Sequence, residues 1–179
     1  MFLDLRQHNY DLDIIPFIRS GVIIDTSVLD ILIEGVIETR INKKKSIEFQ
    51  GIIDFLDLMK LNNRWENFFI TPHILTEACN HFRNNYSKQG NYKIIVEEVM
   101  PIIEAMQENV VKKSDIIKLV DFKSPIIEIG DMSIFVTTDN FTDSGKKIAI
   151  LSNDRIMNTK YQYNKNVMVM DYKSIILNC

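Results

Sequence analysis

Four short, wholly apolar runs constrain this chain more than any other feature. They are GVII at 21–24, FFI at 68–70, IAIL at 148–151 and VMVM at 167–170. Three or four consecutive apolar residues are too few for a helix but suit a strand buried on both faces, as in a parallel sheet. The segments between them carry the helical period instead. After Asp25, apolar residues recur at Val28, Leu29, Leu32, Ile33 and Val36, and Ile47, Ile52, Phe55, Leu56 and Met59 repeat the pattern. Thr71 and Pro72 form a cap followed by a proline suited to the first helical position. They predict a helix over 72–82, ended by the polar stretch 84–91. Further helices are expected over 92–107 and 114–120, followed by a turn at Ser124 and Pro125. Gly130 and Asp131 open another helix, and a last one runs over 153–161.

Composition sharpens this reading. The 179 residues contain 29 Ile but only 3 Ala and 6 Gly. Helices must therefore be held by their packed faces rather than by alanine propensity, and β-branching alone is no strand signal here. Short apolar strands alternating with helices predict an α/β fold, three layers deep, with a short central parallel sheet. At this length one domain is expected over 1–179, with an N-terminal extension over about 1–19 and a helical insertion over about 84–128.

Charge and cysteine usage exclude several classes. A net charge of −3 rules out a highly basic nucleic-acid coat but leaves room for a local basic groove. Cys79 and Cys179 lie too far apart for a disulfide framework or a zinc ribbon, which favours a reducing, cytoplasmic setting. No apolar run approaches the ~18 residues of a membrane span, and Asp4 and Arg6 stand where a signal peptide needs apolar residues.

Open parallel sheets bind ligands beyond the carboxyl ends of their strands. Asp25 and Asp154 fall there directly, Glu77 lies on the helix after the second strand, and Asp131 stands at a helix start. Each Asp alone is explained by capping a helix and complementing its dipole. Glu77 flanks the apolar face of Ile74, Leu75, Ala78 and Phe82, and an acid so close to a buried seam needs a partner.

Taken together, VIIDTSVL (22–29), FFITPHILTEA (68–78), IGDMSIF (129–135) and IAILSND (148–154) resemble the four acidic motifs of the PIN-domain ribonucleases. The resemblance spans about 21–170 and rests on order and spacing. It implies a PIN-like fold and a metal-dependent endoribonuclease acting on single-stranded RNA. Asp25, Glu77, Asp131 and Asp154 would be the catalytic, metal-binding acids for Mg²⁺ or Mn²⁺, with Ser27 supporting Asp25 and Ser152 ahead of the last acid. Such hard cations take oxygen ligands, so the lack of a nucleophilic Ser/His or Cys/His motif fits the same chemistry. The chain departs from the family at Ile156, where many members carry a polar residue, and in the long stretches 40–65 and 84–128. A toxin paired with an antitoxin, another protein partner, self-association into a homo-oligomer and a DNA substrate remain open under this resemblance.

Two alternatives from other classes stand beside it. His73, Glu77 and His81 recur every four residues on one helical face and offer zinc ligands, though not in the HExxH spacing. Alternatively, the fold is a non-catalytic binding module whose acids are only caps. Arg40, Lys43, Lys44 and Lys45 form a basic cluster, read either as a solvated loop or as a grip on RNA through Lys43, Lys44 and Lys45. Trp65, Phe68 and Phe69 are read as core rather than as base-stacking residues.

Overall fold

A computed structural model of the chain describes residues 10–43, 45–86, 92–120 and 127–173, with side chains from Ile14 onward. The four apolar runs form β1 (Val22–Ile24), β2 (Phe68–Ile70), β4 (Ile148–Leu151) and β5 (Val167–Met170). A fifth strand, β3 (Gln107–Glu108), completes an all-parallel sheet in the order β3-β2-β1-β4-β5. Helices flank the sheet in a three-layer α/β/α arrangement, as the alternation of runs and periods predicts. β1 and β4 are buried along their whole length, which is why they contain no polar residue.

The helices are α1 (Tyr10–Ile18), α2 (Thr26–Asn42), α3 (Ile47–Leu58), α4 (Pro72–Tyr86), α5 (Tyr92–Ile94), α6 (Met100–Ala105), α7 (Lys113–Leu119), α8 (Ile129–Asp143) and α9 (Arg155–Tyr161). Val28, Leu29, Leu32, Ile33 and Ile37 turn the buried stripe of α2 toward the sheet, where Ile52, Phe55 and Leu56 of α3 join the same core. Gly21 enters β1 at φ +109°, and a Cβ there would fall 2.3 Å from the Phe69 ring, so the turn requires glycine on both counts.

Three expectations need correction. The helix expected over 92–107 is interrupted by a π-helical turn at Ile95–Val99 and ends at Ala105. Pro101 lies just beyond that turn; it has no N–H for the helical ladder and its ring crowds the carbonyl four residues back. Gln107 and Glu108 then leave the helix to pair with Phe69 and Ile70 at the sheet edge. Finally, α4 continues past Phe82 through Tyr86, because Tyr86 is buried against the core and outweighs the polar residues around it. The remainder of the expected break at 87–91, and the turn at Ser124 and Pro125, lie outside the described residues.

Val99, Ile103 and Met106 of the expected helical insertion enter the main core, while Ile116 of α7 packs with Met132 and Val136 of α8. Among the described residues no helix is long and apolar enough to cross a membrane.

Candidate active site

β1 and β4 are neighbours, yet the chain reaches β2 and β3 on one side of β1 before it reaches β4 on the other. The carboxyl ends of β1 and β4 therefore frame the point where strand order reverses, the usual ligand crevice of such sheets. The ladder continues just past both strands, as Asp25 N–H donates to Leu151 O at 3.0 Å and Ser152 N–H to Met170 O at 3.2 Å. Asp25 and Ser152 are thereby held side by side.

Their side chains complete the junction. Ser152 Oγ donates to Asp25 Oδ2 at 2.6 Å and accepts from Asp154 N–H at 2.9 Å, so one hydroxyl links the loops of both acids. Ser27 Oγ donates to the same Asp25 oxygen at 3.0 Å. Asp25 is only 7% exposed and occupies the N-cap position of α2, but it makes no side-chain capping bond. Capping thus does not account for this carboxylate. Burial pushes its carboxyl up, the Ser152 and Ser27 hydroxyls pull it back, and the charge of Asp154 adds to the rise.

The other acids are placed by different devices. Glu77 Oε2 accepts from Thr26 Oγ1 at 2.9 Å, which ties α4 to the start of α2. A Cβ on Gly130 would fall 2.8 Å from that carboxylate oxygen, so the absent side chain makes room for Glu77. Burial pushes Glu77 up as well, against the Thr26 hydroxyl, with the charge of Glu128 reinforcing the rise. Asp131 sits at the third position of α8 in a reciprocal capping box with Glu128, its Oδ2 accepting from Glu128 N–H at 3.3 Å. Burial, with the charges of Asp25, Asp154 and Glu128, pushes Asp131 up to about 6, although the Glu128 N–H opposes it. Asp154 caps α9 through Oδ1, which accepts from Ile156 N–H at 2.8 Å. Capping is therefore part of the role of Asp131 and Asp154, though not of Asp25.

All four acids line one open cavity of about 500 Å³. The sequence reading missed several residues around it. Asp30 and Glu128 bring the lining carboxylates to six among the described residues, and Asn153 and Ile156 also line it. Glu128 was visible in principle, three residues before Asp131 at a helix start, as the mirror of a capping box. Deeper in the protein, Ser133 Oγ donates to Gly130 O at 2.6 Å and shares a 2.7 Å bond with Thr71 Oγ1. Thr71 in turn accepts from Ile74 N–H at 3.3 Å. This buried chain locks the start of α4 to the start of α8, and with them the helices that carry Glu77 and Asp131.

His73 does not line the cavity, and Nδ1 of His81 is engaged by Asp30 Oδ2, so the four-residue ladder does not converge as a zinc site. The donor chemistry of the cavity, carboxylates and hydroxyls, fits a hard divalent cation such as Mg²⁺ or Mn²⁺. As the side chains stand, no group of three or more His, Cys, Asp or Glu among the described residues is arranged to hold an ion. Enclosing one requires carboxylates to turn inward.

The basic cluster lies elsewhere. Arg40 is paired with Glu98 at 2.7 Å, Lys43 ends α2 in a left-handed conformation, and Lys45 borders a second cavity. At 1.5 Å per residue the 17-residue α2 separates this loop from Asp25 by about 25 Å. Lys44 lies outside the described residues. Phe68 belongs to the core, and Trp65 and Phe69 are partly buried against it, Trp65 tilted on Phe68 and Phe69 on Phe141.

Comparison with family models, with curated proteins and with solved structures finds no match to this chain.

Proposed function

We propose that the chain belongs to the class of divalent-metal-dependent phosphodiester hydrolases. Within that class we read it as a PIN-like endoribonuclease acting on single-stranded RNA. One observation carries the reading: acids from four separate elements, Asp25, Glu77, Asp131 and Asp154, line one open cavity where the sheet reverses. Raised carboxyls support it, since burial and mutual repulsion make such a cluster unfavourable until protons or a cation neutralise it.

Asp25, Glu77, Asp131 and Asp154 would hold the cation. When bound, it would polarise a phosphodiester and activate water for in-line attack. Ser152 and Ser27 orient Asp25 by donating to one of its oxygens. Thr26 does the same for Glu77. The hydroxyls thus place anionic oxygens without adding charge, and no covalent nucleophile is required of the protein.

The test is cleavage of a labelled, unstructured RNA oligonucleotide. Mn²⁺ or Mg²⁺ is expected to support cleavage and EDTA to stop it. Activity that survives EDTA would overturn the reading. Binding of RNA without cleavage in any metal would instead identify a binding module.

A further inference from the structure

A cavity whose described lining includes six carboxylates is a poor host for a polyanion unless something offsets their charge. Among the described residues that line it, only His81 is able to carry a positive charge, and none is Lys or Arg. His81 projects from α4, one turn after Glu77, and its side chain is 47% exposed. Its Nδ1 is held by Oδ2 of Asp30, a residue of α2 whose side chain is only 20% exposed. Asp30 thereby anchors the ring to the neighbouring helix and leaves Nε2 as the nitrogen open to a ligand.

Resting on the nuclease reading above, we propose that His81, oriented by Asp30, is the residue that grips a phosphate of the nucleic-acid strand as it enters the acidic cavity. The chemistry is specific to an anion. A histidine whose Nδ1 side faces a carboxylate presents Nε2–H as a donor with a charge behind it, and charged donors make the stronger, shorter bonds to phosphate oxygens. The surroundings favour that charged form. The bond to Asp30 does most to hold the His81 imidazolium above its usual range; burial opposes it, and the charges of Asp30, Glu77 and Glu34 add to the rise. Asp30 itself is pushed up by burial and pulled back by the His81 ring. The pair also explains why this helical ladder of His73, Glu77 and His81 carries a histidine at its third position although it builds no zinc site.

His81 is thus a binding residue for the phosphate, and Asp30 is a positioning residue that acts through it. The test uses the full chain and a labelled single-stranded RNA oligonucleotide. Binding is followed in EDTA across a series of salt concentrations, and cleavage in Mn²⁺. For His81→Gln, KM is expected to rise about 5- to 10-fold while kcat stays within 2-fold. Loss of one phosphate contact to a single strand should also reduce the salt slope of binding by about 0.7. His81→Lys, which restores the charge, is expected to recover most of the slope. Asp30→Asn, which keeps the acceptor oxygen without its charge, should fall between the two. Melting temperatures of the three variants check that the fold is intact.

The outcomes separate this inference from the nuclease reading. If the parent cleaves RNA and His81→Gln leaves KM and salt slope unchanged, the phosphate contact is refuted and the nuclease stands. A fall in kcat alone also refutes it, since His81 would then act on the chemistry. If the parent binds RNA without cleaving it and binding weakens on His81→Gln, the contact stands and the nuclease falls. A parent that neither binds nor cleaves overturns both.

Discussion

Two cavities of the structure are similar in size and different in character. The one at the carboxyl ends of β1 and β4 holds about 500 Å³ and draws its walls from α2, α4, α8 and the loop after β4. The other holds about 550 Å³ and is lined by Glu38, Asn42, Lys45, Ser46, Ile47 and Glu48, all from one short stretch of chain. Volume does not distinguish them, but their origin does. A hollow between the end of one helix and the start of the next follows from local geometry. Converging carboxylates from residues 25, 77, 131 and 154 requires long-range packing to hold like charges together, and such an arrangement costs stability. The first cavity is therefore the one that calls for a functional explanation.

The strongest way to break this comparison is Asp25→Asn, which keeps the shape of the most buried acid and removes its charge. If the first cavity is catalytic, cleavage should fall by at least ~100-fold, as for loss of a metal-site group. In EDTA the variant should melt no lower than the parent, because repulsion from Asp154 and burial of charge are both relieved. Mg²⁺ at about 100 times its Kd should stabilise the parent by ~2.7 kcal/mol and the variant much less. Melting curves with and without Mg²⁺ check this. A clearly lower melting point in EDTA with an undiminished Mg²⁺ response would make Asp25 structural.

Gly130→Ala probes the same wall without touching a carboxylate. Its Cβ would meet Glu77 Oε2 at 2.8 Å, and the flexible end of Glu77 must move away. Cleavage is expected to drop roughly 10-fold through displacement of that oxygen. Stability should hold or rise slightly, since alanine is favoured over glycine within a helix by ~1 kcal/mol. Parallel rate and melting measurements suffice, and equal losses in both would place the defect in the fold.

The acids should also leave a mark on pH dependence. Asp131 has a folded-state pKa of about 6 against an ordinary 3.8, so the folded chain binds its proton more tightly than the unfolded one. The stability this contributes is fully present below about pH 4 and is lost as pH rises through 6. Allowing for the partial exposure of Asp131, the loss is about 1 kcal/mol, or roughly 2–4 °C for a chain of this size. Asp131→Asn should remove that part of the decline in metal-free buffer between pH 4 and 7. An unchanged profile would show that burial and the neighbouring carboxylates do not raise Asp131.

The smallest effect is expected at the second cavity. Replacing Lys43, Lys44 and Lys45 together by Ala should change RNA affinity by less than 2-fold and leave the salt slope alone, given the ~25 Å between this loop and Asp25. A slope that falls by about 0.7 for each lysine would extend the RNA path along α2 and join the two cavities into one surface.

How much of this was legible in the sequence depends on how local the cause is. β1, β2, β4 and β5 could be read because strands buried on both faces must be apolar throughout. β3 could not be read, because Gln107 and Glu108 lie exposed at the sheet edge and join it only by backbone pairing with Phe69 and Ile70. The extension of α4 to Tyr86 escaped for a related reason, since a single buried ring outweighs several polar neighbours. Within the site, Ser27 was named as a support for Asp25 and is bonded to it, whereas the same role of Ser152 joins residues 127 positions apart. Glu128 was legible only as half of a capping box with Asp131, and Asp30 gave no distinct signal, because an acid on a helix looks the same in sequence whether or not a cavity lies before it.

The sequence by itself determined the alternation of short apolar runs with amphipathic helices. It thereby determined that Asp25 and Asp154 would stand beyond strand ends, because a parallel sheet buried on both faces leaves polar residues only at its edges and termini. Only the tertiary structure decided that β4 lies against β1 on the side away from β2. It alone decided that Thr71 and Ser133 lock α4 to α8, and that Glu77, Asp131 and His81 consequently border the cavity of Asp25. Strand order and helix docking arise from packing between distant segments, and no local pattern of residues encodes which of those segments meet.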